Sequence, residues 1–301
     1  MRAVLERLRD GETLCGDGAW GTQLMARGLE PGDSPEAFNL SHPEVLAEVA
    51  TLYVEAGADL ITTNTFGGSP LNLASYGLDD RTEEINHAAV EVIRSVVGDR
   101  AYVSASIGPT GKILTPYGDT EPEVVREAFA RQIGALVAAG ADLLCIETMI
   151  DLREATLAVE AARSISADIP VIATMTFDPT PRGFFTVMGI TIERACSALV
   201  EAGADIVGSN CGNGIDRMIE IARDFVDHAS VPVIIQSNAG LPENRSGELV
   251  YPESPEFMAE RVGQLMDLGV SIIGGCCGTG PELIRGLRAA IDSNRRTHGE
   301  C

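Results

Sequence analysis

The chain has 301 residues, with 22 Lys and Arg against 44 Asp and Glu, a formal net charge of −22 and a pI near 4.5. So acidic a surface argues against nucleic acid and anionic lipid as partners, since both need a basic footprint. Hydrophobic residues at 45% and charged residues at 22% supply an ordinary globular core, and no apolar run approaches the roughly 20 residues of a membrane span. The N-terminal MRAVLERLRDGETL is charged throughout and shows no apolar signal segment, so a cytoplasmic setting is expected. Seven cysteines, an odd number in a long chain, exclude a small disulfide-stapled fold. Their thiols are expected to be buried, catalytic or metal-bound.

The segment EAGADLI (55–61) recurs as AGADLL (139–144) and EAGADIV (201–207), with a weaker copy, DLGVSII, at 267–273. Each copy closes an amphipathic stretch and opens an apolar, β-rich run. Glycine at such a place ends a helix in the left-handed conformation and turns the chain into a buried strand. In chain order the pattern predicts strand 13–15, helix 43–56, strand 60–63, helix 81–97, strand 102–106, helix 121–139, strand 143–147 and helix 152–164. Strand 171–176, helix 191–202, strand 206–209, helix 214–228, strand 233–236, helix 255–268, strand 272–275 and helix 281–291 follow. Most strand runs are continuously apolar, as in strands covered on both faces. Eight regular alternations predict an α/β fold, a (β/α)8 TIM barrel formed as a single domain over 1–301, in preference to an open doubly wound sheet.

Barrels of this kind carry their chemistry where the strands end. Here those ends read DGAWGT (17–22), TNTFGG (63–68), SIGPTG (106–111), ET (147–148), NCGNG (210–214), QSNAG (236–240) and GGCCG (274–278). The sharpest signal is sulfur. Cys211 follows the sixth strand, and Cys276 and Cys277 follow the eighth, so the barrel brings three thiols to one rim. Three thiolates suit a soft tetrahedral ion, Zn²⁺ first, with the fourth position open. Adjacent residues of a strand point to opposite faces, so Cys276 and Cys277 can share an ion only if the chain leaves strand geometry there. Gly274, Gly275 and Gly278 supply that freedom. A site of formal charge −1 is a poor Lewis acid toward carbonyls, but metal coordination still deprotonates an incoming thiol. The predicted chemistry is activation of a substrate thiol as nucleophile. Cys15, Cys145 and Cys196 lie in apolar runs and read as core, Cys301 lies at the terminus, and no histidine follows a strand.

Two carboxylates join this end. Glu147 directly follows the apolar run 143–146, where it can hold a substrate ammonium group or act as a general base. Asp17 invites the same readings, and Gly18 beside it can offer backbone N–H to a carboxylate. A metal-free lyase using Glu147 and Asp17 as acid and base is the competing reading. No dinucleotide fingerprint or Walker A sequence occurs. Residues 177–190 read as a long loop after the fifth strand, with Phe184, Phe185 and Met188 either packing on the barrel or facing a partner.

DGAWGTQL (17–24), TNTFGGSPLNL (63–73), SIGPTGKIL (106–114), IET (146–148), MTFD (175–178), SNCGNG (209–214), SNAG (237–240) and GGCCGT (274–279) together resemble the zinc-dependent homocysteine S-methyltransferase family. The nearest likeness is to the homocysteine-binding module of cobalamin-dependent methionine synthases. The resemblance implies Zn²⁺ on Cys211, Cys276 and Cys277, with homocysteine sulfur in the fourth position. It implies that Glu147 binds the amino group of homocysteine. Asp17 and Gly18 would hold its amino-acid end with help from Asn64 and Thr65, and Asn238 would lie close to the metal. The reaction implied is methyl transfer to the thiolate, giving methionine. The donor would be methylcobalamin or another methylated corrinoid, free or on a separate corrinoid protein. Betaine or S-methylmethionine donors, and a thiol-binding subunit that needs a partner to complete transfer, are the alternatives. Gln236-Ser237 departs from the Glu-Pro often found in the synthases.

Overall fold

The computed structural model describes residues 2–245 and 248–298. Among them, eight parallel strands follow one another around a barrel: β1 (Leu14–Cys15), β2 (Leu60–Thr62), β3 (Tyr102–Ile107), β4 (Leu143–Met149), β5 (Val171–Met175), β6 (Ile206–Asn210), β7 (Val233–Ser237) and β8 (Ile272–Gly275). β1 pairs with β8, and a single bridge from Gly16 to Leu60 joins β1 to β2. The helices between them are α1 (Pro43–Ala56), α2 (Thr82–Val97), α3 (Pro122–Ala138), α4 (Leu152–Ile165), α5 (Ile192–Ala202), α6 (Ile215–His228) and α7 (Pro255–Asp267), and α8 (Pro281–His298) follows β8. This is the (β/α)8 barrel that the apolar periodicity predicts. No helix of the described residues is long and apolar enough to cross a membrane.

Strand periodicity divides the core in two. Leu14, Leu60, Tyr102, Leu143, Cys145, Ile172, Ile206, Ile234 and Ile272 form one cluster, while their chain neighbours Cys15, Ile61, Val103, Leu144, Ala173, Val207, Ile235 and Ile273 pack with the helices in another. This is the alternation a parallel barrel imposes, one side chain into the barrel and the next toward the helical layer. The first cluster also takes Val4 and Leu8 from an N-terminal helix, Val4–Arg9, that the sequence pattern does not announce. Six residues offer only one apolar i, i+4 pair, too little for a periodicity.

The repeated Gly-Ala-Asp segments build the αβ corners. Gly57, Gly140, Gly203 and Gly269 all have left-handed φ, between 90° and 113°. The aspartates have a role that spacing alone does not reveal. Asp59, Asp142 and Asp205 each accept the N–H of a residue on a preceding strand: Cys15 (2.9 Å), Val103 (2.7 Å) and Val171 (2.8 Å). Each is also paired with arginine: Asp59 with Arg7 and Arg288 (both 3.0 Å), Asp142 with Arg94 (2.6 Å), and Asp205 with Arg163 (2.5 Å). The expected long loop after β5 contains a hairpin instead, Asp178–Thr180 against Gly183–Phe185. Phe184 there packs against the core, while Met188 beyond it is exposed.

Candidate active site

The three rim cysteines are gathered by the end of β7. Cys211, the first residue past β6, has a left-handed backbone (φ 62°), and its N–H donates to the Gln236 carbonyl at 3.1 Å. Cys276 N–H donates to the Ser237 carbonyl at 2.8 Å. Cys277 N–H donates to Asn238 Oδ1 at 3.1 Å. Three consecutive residues therefore fix the backbone of all three cysteines. β8 ends at Gly275, and Cys276 opens a turn in which the Thr279 N–H and hydroxyl both donate to its carbonyl, at 3.2 and 2.6 Å. The chain thus leaves strand geometry where two adjacent thiols must face one point. Of the three glycines expected to permit this, Gly278 alone uses left-handed φ (80°). Gly275 supplies room instead, because a Cβ there would overlap the Thr279 side chain.

The three Sγ atoms lie within 4.8 Å of one another, with Cys211 and Cys277 at 3.7 Å. Tetrahedral zinc with Zn–S of about 2.3 Å sets its sulfurs about 3.8 Å apart, whereas a disulfide needs about 2.05 Å. All three thiols are free. Cys211 and Cys277 share a hydrogen bond, and the neighbouring Cys276 and Cys277 push Cys211 below the ordinary thiol range. The donor set fits a soft tetrahedral ion with one position to spare.

Beside the thiols, β4 bulges between Ile146 and Met149, and Thr148 takes φ 59°. The bulge sets Glu147 between β3 and β6. Its carboxylate accepts from Ser106 Oγ (2.5 Å) and from Asn210 Nδ2 (3.3 Å). Burial pushes Glu147 up to about 7, against the Ser106 hydrogen bond and with help from the charges of Asp17 and Cys211. No sequence pattern singles out Asn210, yet it connects the site. Its Nδ2 donates to Thr148 Oγ1 (2.7 Å) and reaches Cys276 Sγ (3.9 Å), while its Oδ1 accepts from Thr148 N–H (2.8 Å) and Thr174 Oγ1 (2.7 Å). An asparagine before Cys-Gly reads as a turn residue, so only its cross-strand contacts expose the role.

Residues 14–291 match the family model described as homocysteine S-methyltransferase. The chain belongs to the homocysteine S-methyltransferase family. It is 35% identical to the methionine synthases of Mycobacterium tuberculosis and Mycobacterium leprae, over 94% and 96% of its own length. It spans a quarter of the length of those relatives. Among solved structures, the metallated form of the homocysteine methyltransferase MmuM from Escherichia coli shares the fold. Its TM-score is 0.78 at 23% identity, covering 95% of this chain and 99% of that one.

In this family member the remaining residues expected at the site divide into two groups. Asn238 lies at the thiols, where its Oδ1 accepts the Cys277 N–H at 3.1 Å. Asp17 is fully buried at the end of β1, where it accepts from Thr62 N–H (2.8 Å), Thr62 Oγ1 (2.7 Å) and Trp20 Nε1 (2.9 Å). Burial still pushes it up to about 6 against those bonds. Gly18 packs on the Cys277-bearing loop, and a Cβ there would overlap the Thr279 carbonyl. Asn64 and Thr65 use their side chains to hold their own loop. Asn64 Nδ2 donates to Pro35 O (2.6 Å) and Asn39 Oδ1 (2.8 Å), and Thr65 Oγ1 donates to Ser106 O (2.7 Å). Cys15, Cys145 and Cys196 are buried, as core thiols should be.

Proposed function

We propose that this chain, as one homocysteine-binding barrel over 1–301, transfers a methyl group to the sulfur of homocysteine and forms methionine. The spacing of the Cys211, Cys276 and Cys277 sulfurs carries this reading. Those residues would hold Zn²⁺, which when bound supplies a centre that keeps the substrate sulfur as thiolate. Glu147 lies next to the cluster with one carboxylate oxygen on Ser106 and the other on Asn210, and it would bind the substrate ammonium group. A carboxyl held near 7 while empty ionises readily once a cation arrives. Asp17, saturated by Thr62 and Trp20, would fix the first loop so that Gly18 meets the amino-acid end; Asn64 and Thr65 would do the same for the second loop. The S–CH₃ bond forms as the donor–CH₃ bond breaks, and the bonding pair leaves with the donor.

The likeness to methionine synthases over nearly the whole chain favours methylcobalamin or another methylated corrinoid as donor, free or on a separate protein. Betaine and S-methylmethionine are the competing donors. Three free, half-buried thiols suit a reducing, cytoplasmic setting. The test is metal content of protein purified without chelator, followed by methionine formation from homocysteine with each donor in turn. About one zinc per chain and turnover with methylcobalamin supports the proposal. Metal-free protein that ignores homocysteine overturns it. Metal and homocysteine binding with no turnover from any free donor would identify a subunit that needs its partner.

A further inference from the structure

Near its end, β7 carries a buried side chain that the fold leaves half satisfied. Ile234 belongs to the cluster inside the barrel and Ile235 packs with the helices, so Gln236, the next residue, faces inward again. It lies in register with Asn210 of β6 on one side and Gly274 of β8 on the other. Gln236 is only 8% exposed, and its Oε1 is buried with no hydrogen-bond partner among the described residues. Buried polar atoms in native folds are nearly always paired, so this one calls for a partner. The side chain runs over β8 toward β1. A Cβ on Gly274 would come within 3.3 Å of its Cγ, and a Cβ on Gly16 within 4.0 Å of its Nε2. The two glycines also touch, since a Cβ on Gly274 would stand 3.1 Å from the Gly16 Cα. The inner wall between β1 and β8 is thus bare at this level, and Gln236 reaches across it. On the other flank, Asn210 Nδ2 donates to Glu147 Oε2 at 3.3 Å and lies 3.9 Å from Cys276 Sγ. Gln236 is therefore one strand from the group that links Glu147 to the thiols, and its own carbonyl accepts the Cys211 N–H.

We propose that Gln236 is a specificity-determining residue whose Oε1 accepts a hydrogen bond from the substrate ammonium group, alongside Glu147. This rests on reading the site as one for homocysteine. Of the polar groups of that substrate, the thiolate and the carboxylate only accept hydrogen bonds, and the ammonium group alone donates. An orphaned acceptor inside the barrel therefore selects the ammonium end. An ammonium group has three N–H donors, so one carboxylate oxygen leaves two of them to place. The neutral amide adds an acceptor without adding a second buried charge. It also discriminates among thiols. A thiol without an amino group leaves Oε1 unmet in the complex, and a site built to hydrogen-bond a substrate N–H rejects analogues that lack it. The three cysteines thus select for sulfur, and Gln236 with Glu147 selects for an α-amino acid.

The test compares homocysteine with 4-mercaptobutanoate, the same thiol acid without its amino group, on zinc-loaded wild type and on Gln236→Met. Methionine keeps the length of the side chain and removes the amide. Calorimetric titration should show homocysteine affinity falling about 10-fold in the variant, the loss of a hydrogen bond to a charged group, while 4-mercaptobutanoate binds both proteins alike. Zinc content should not change, because the Cys211 N–H is held by the main-chain carbonyl of position 236. The melt of metal-free protein should hold or rise, since an unmet buried acceptor has been removed. Gln236→Glu, which keeps an acceptor in place, should retain the preference for homocysteine over the analogue. A glutamine that serves only the fold would lower the melt and weaken both thiols together. That result, an unchanged homocysteine affinity in Gln236→Met, or loss of the preference in Gln236→Glu overturns the role of Gln236 while leaving the homocysteine site standing. A wild type that binds neither thiol overturns the homocysteine reading itself, and this proposal with it.

Discussion

The two ends of the barrel use the same kinds of polar residue to opposite purposes. At the N-terminal end, Asp59, Asp142 and Asp205 are saturated: each caps a strand amide and meets arginine. At the C-terminal end, Glu147 is pushed up by burial, Cys211 is pushed down by its neighbours, and the Gln236 Oε1 is buried with no partner. One end satisfies its carboxylates within the fold. The other leaves them poised for a ligand, the distribution expected when stability and chemistry occupy opposite faces of a barrel.

The largest expected break is at the thiols. Cys211→Ser, Cys276→Ser or Cys277→Ser should each reduce bound zinc from about one per chain to a small fraction and remove methyl transfer, while the melt of metal-free protein stays near that of the wild type. Elemental analysis alongside calorimetry reads both quantities. Retained zinc in all three variants would refute the cluster. The mirror-image experiment is Asp59→Ala. It orphans the Cys15 N–H and leaves Arg7 and Arg288 without their shared carboxylate, so stability should fall by about 3 kcal/mol. Zinc per folded chain should not change. Denaturant midpoints and metal content measured on one preparation decide this, and loss of zinc without loss of stability would erase the division between the two ends.

The sequence shows each end differently. All eight strands are visible because a covered parallel strand is a short continuous apolar run, and the corners are visible because glycine is the residue that tolerates left-handed φ. The thiols are visible because three cysteines at two strand ends, with β7 between them, must converge on one stretch of the rim once the barrel closes. What stays hidden depends on which residue lies across a strand. The aspartates of the repeat look like solubilising punctuation until Asp205 is seen on the Val171 N–H. Glu147 looks like the last residue of a strand, but the strand continues to Met149 and bulges around it. Asn210 belongs to the site through a contact with Glu147 spanning 63 positions of the chain, which no local pattern encodes.

The smallest expected effect is the sharpest, because its sign is opposite to the others. Glu147 titrates in the folded protein near 7, above its ordinary 4.5. The folded state therefore binds the proton more tightly than the unfolded chain. Its carboxyl favours folding at low pH, and that contribution is lost as pH rises from 4.5 through 7. Above that window the buried charge is a net cost, which Glu147→Gln removes. In chelated, reduced protein the variant should be more stable than the wild type at pH 8. The gain should be on the order of 1 kcal/mol, because solvent reaches part of the group and screens it. The advantage should shrink through pH 6 and vanish near pH 5. Homocysteine affinity should fall in the same variant, since the residue that would meet the ammonium group has lost its charge. Denaturation midpoints across that pH range, with a homocysteine titration at pH 8, provide the measurement. A glutamine variant no more stable than the wild type at pH 8 would place Glu147 with the satisfied carboxylates of the opposite end. A stabilised variant that has lost its ligand would show the site held against the preference of the fold.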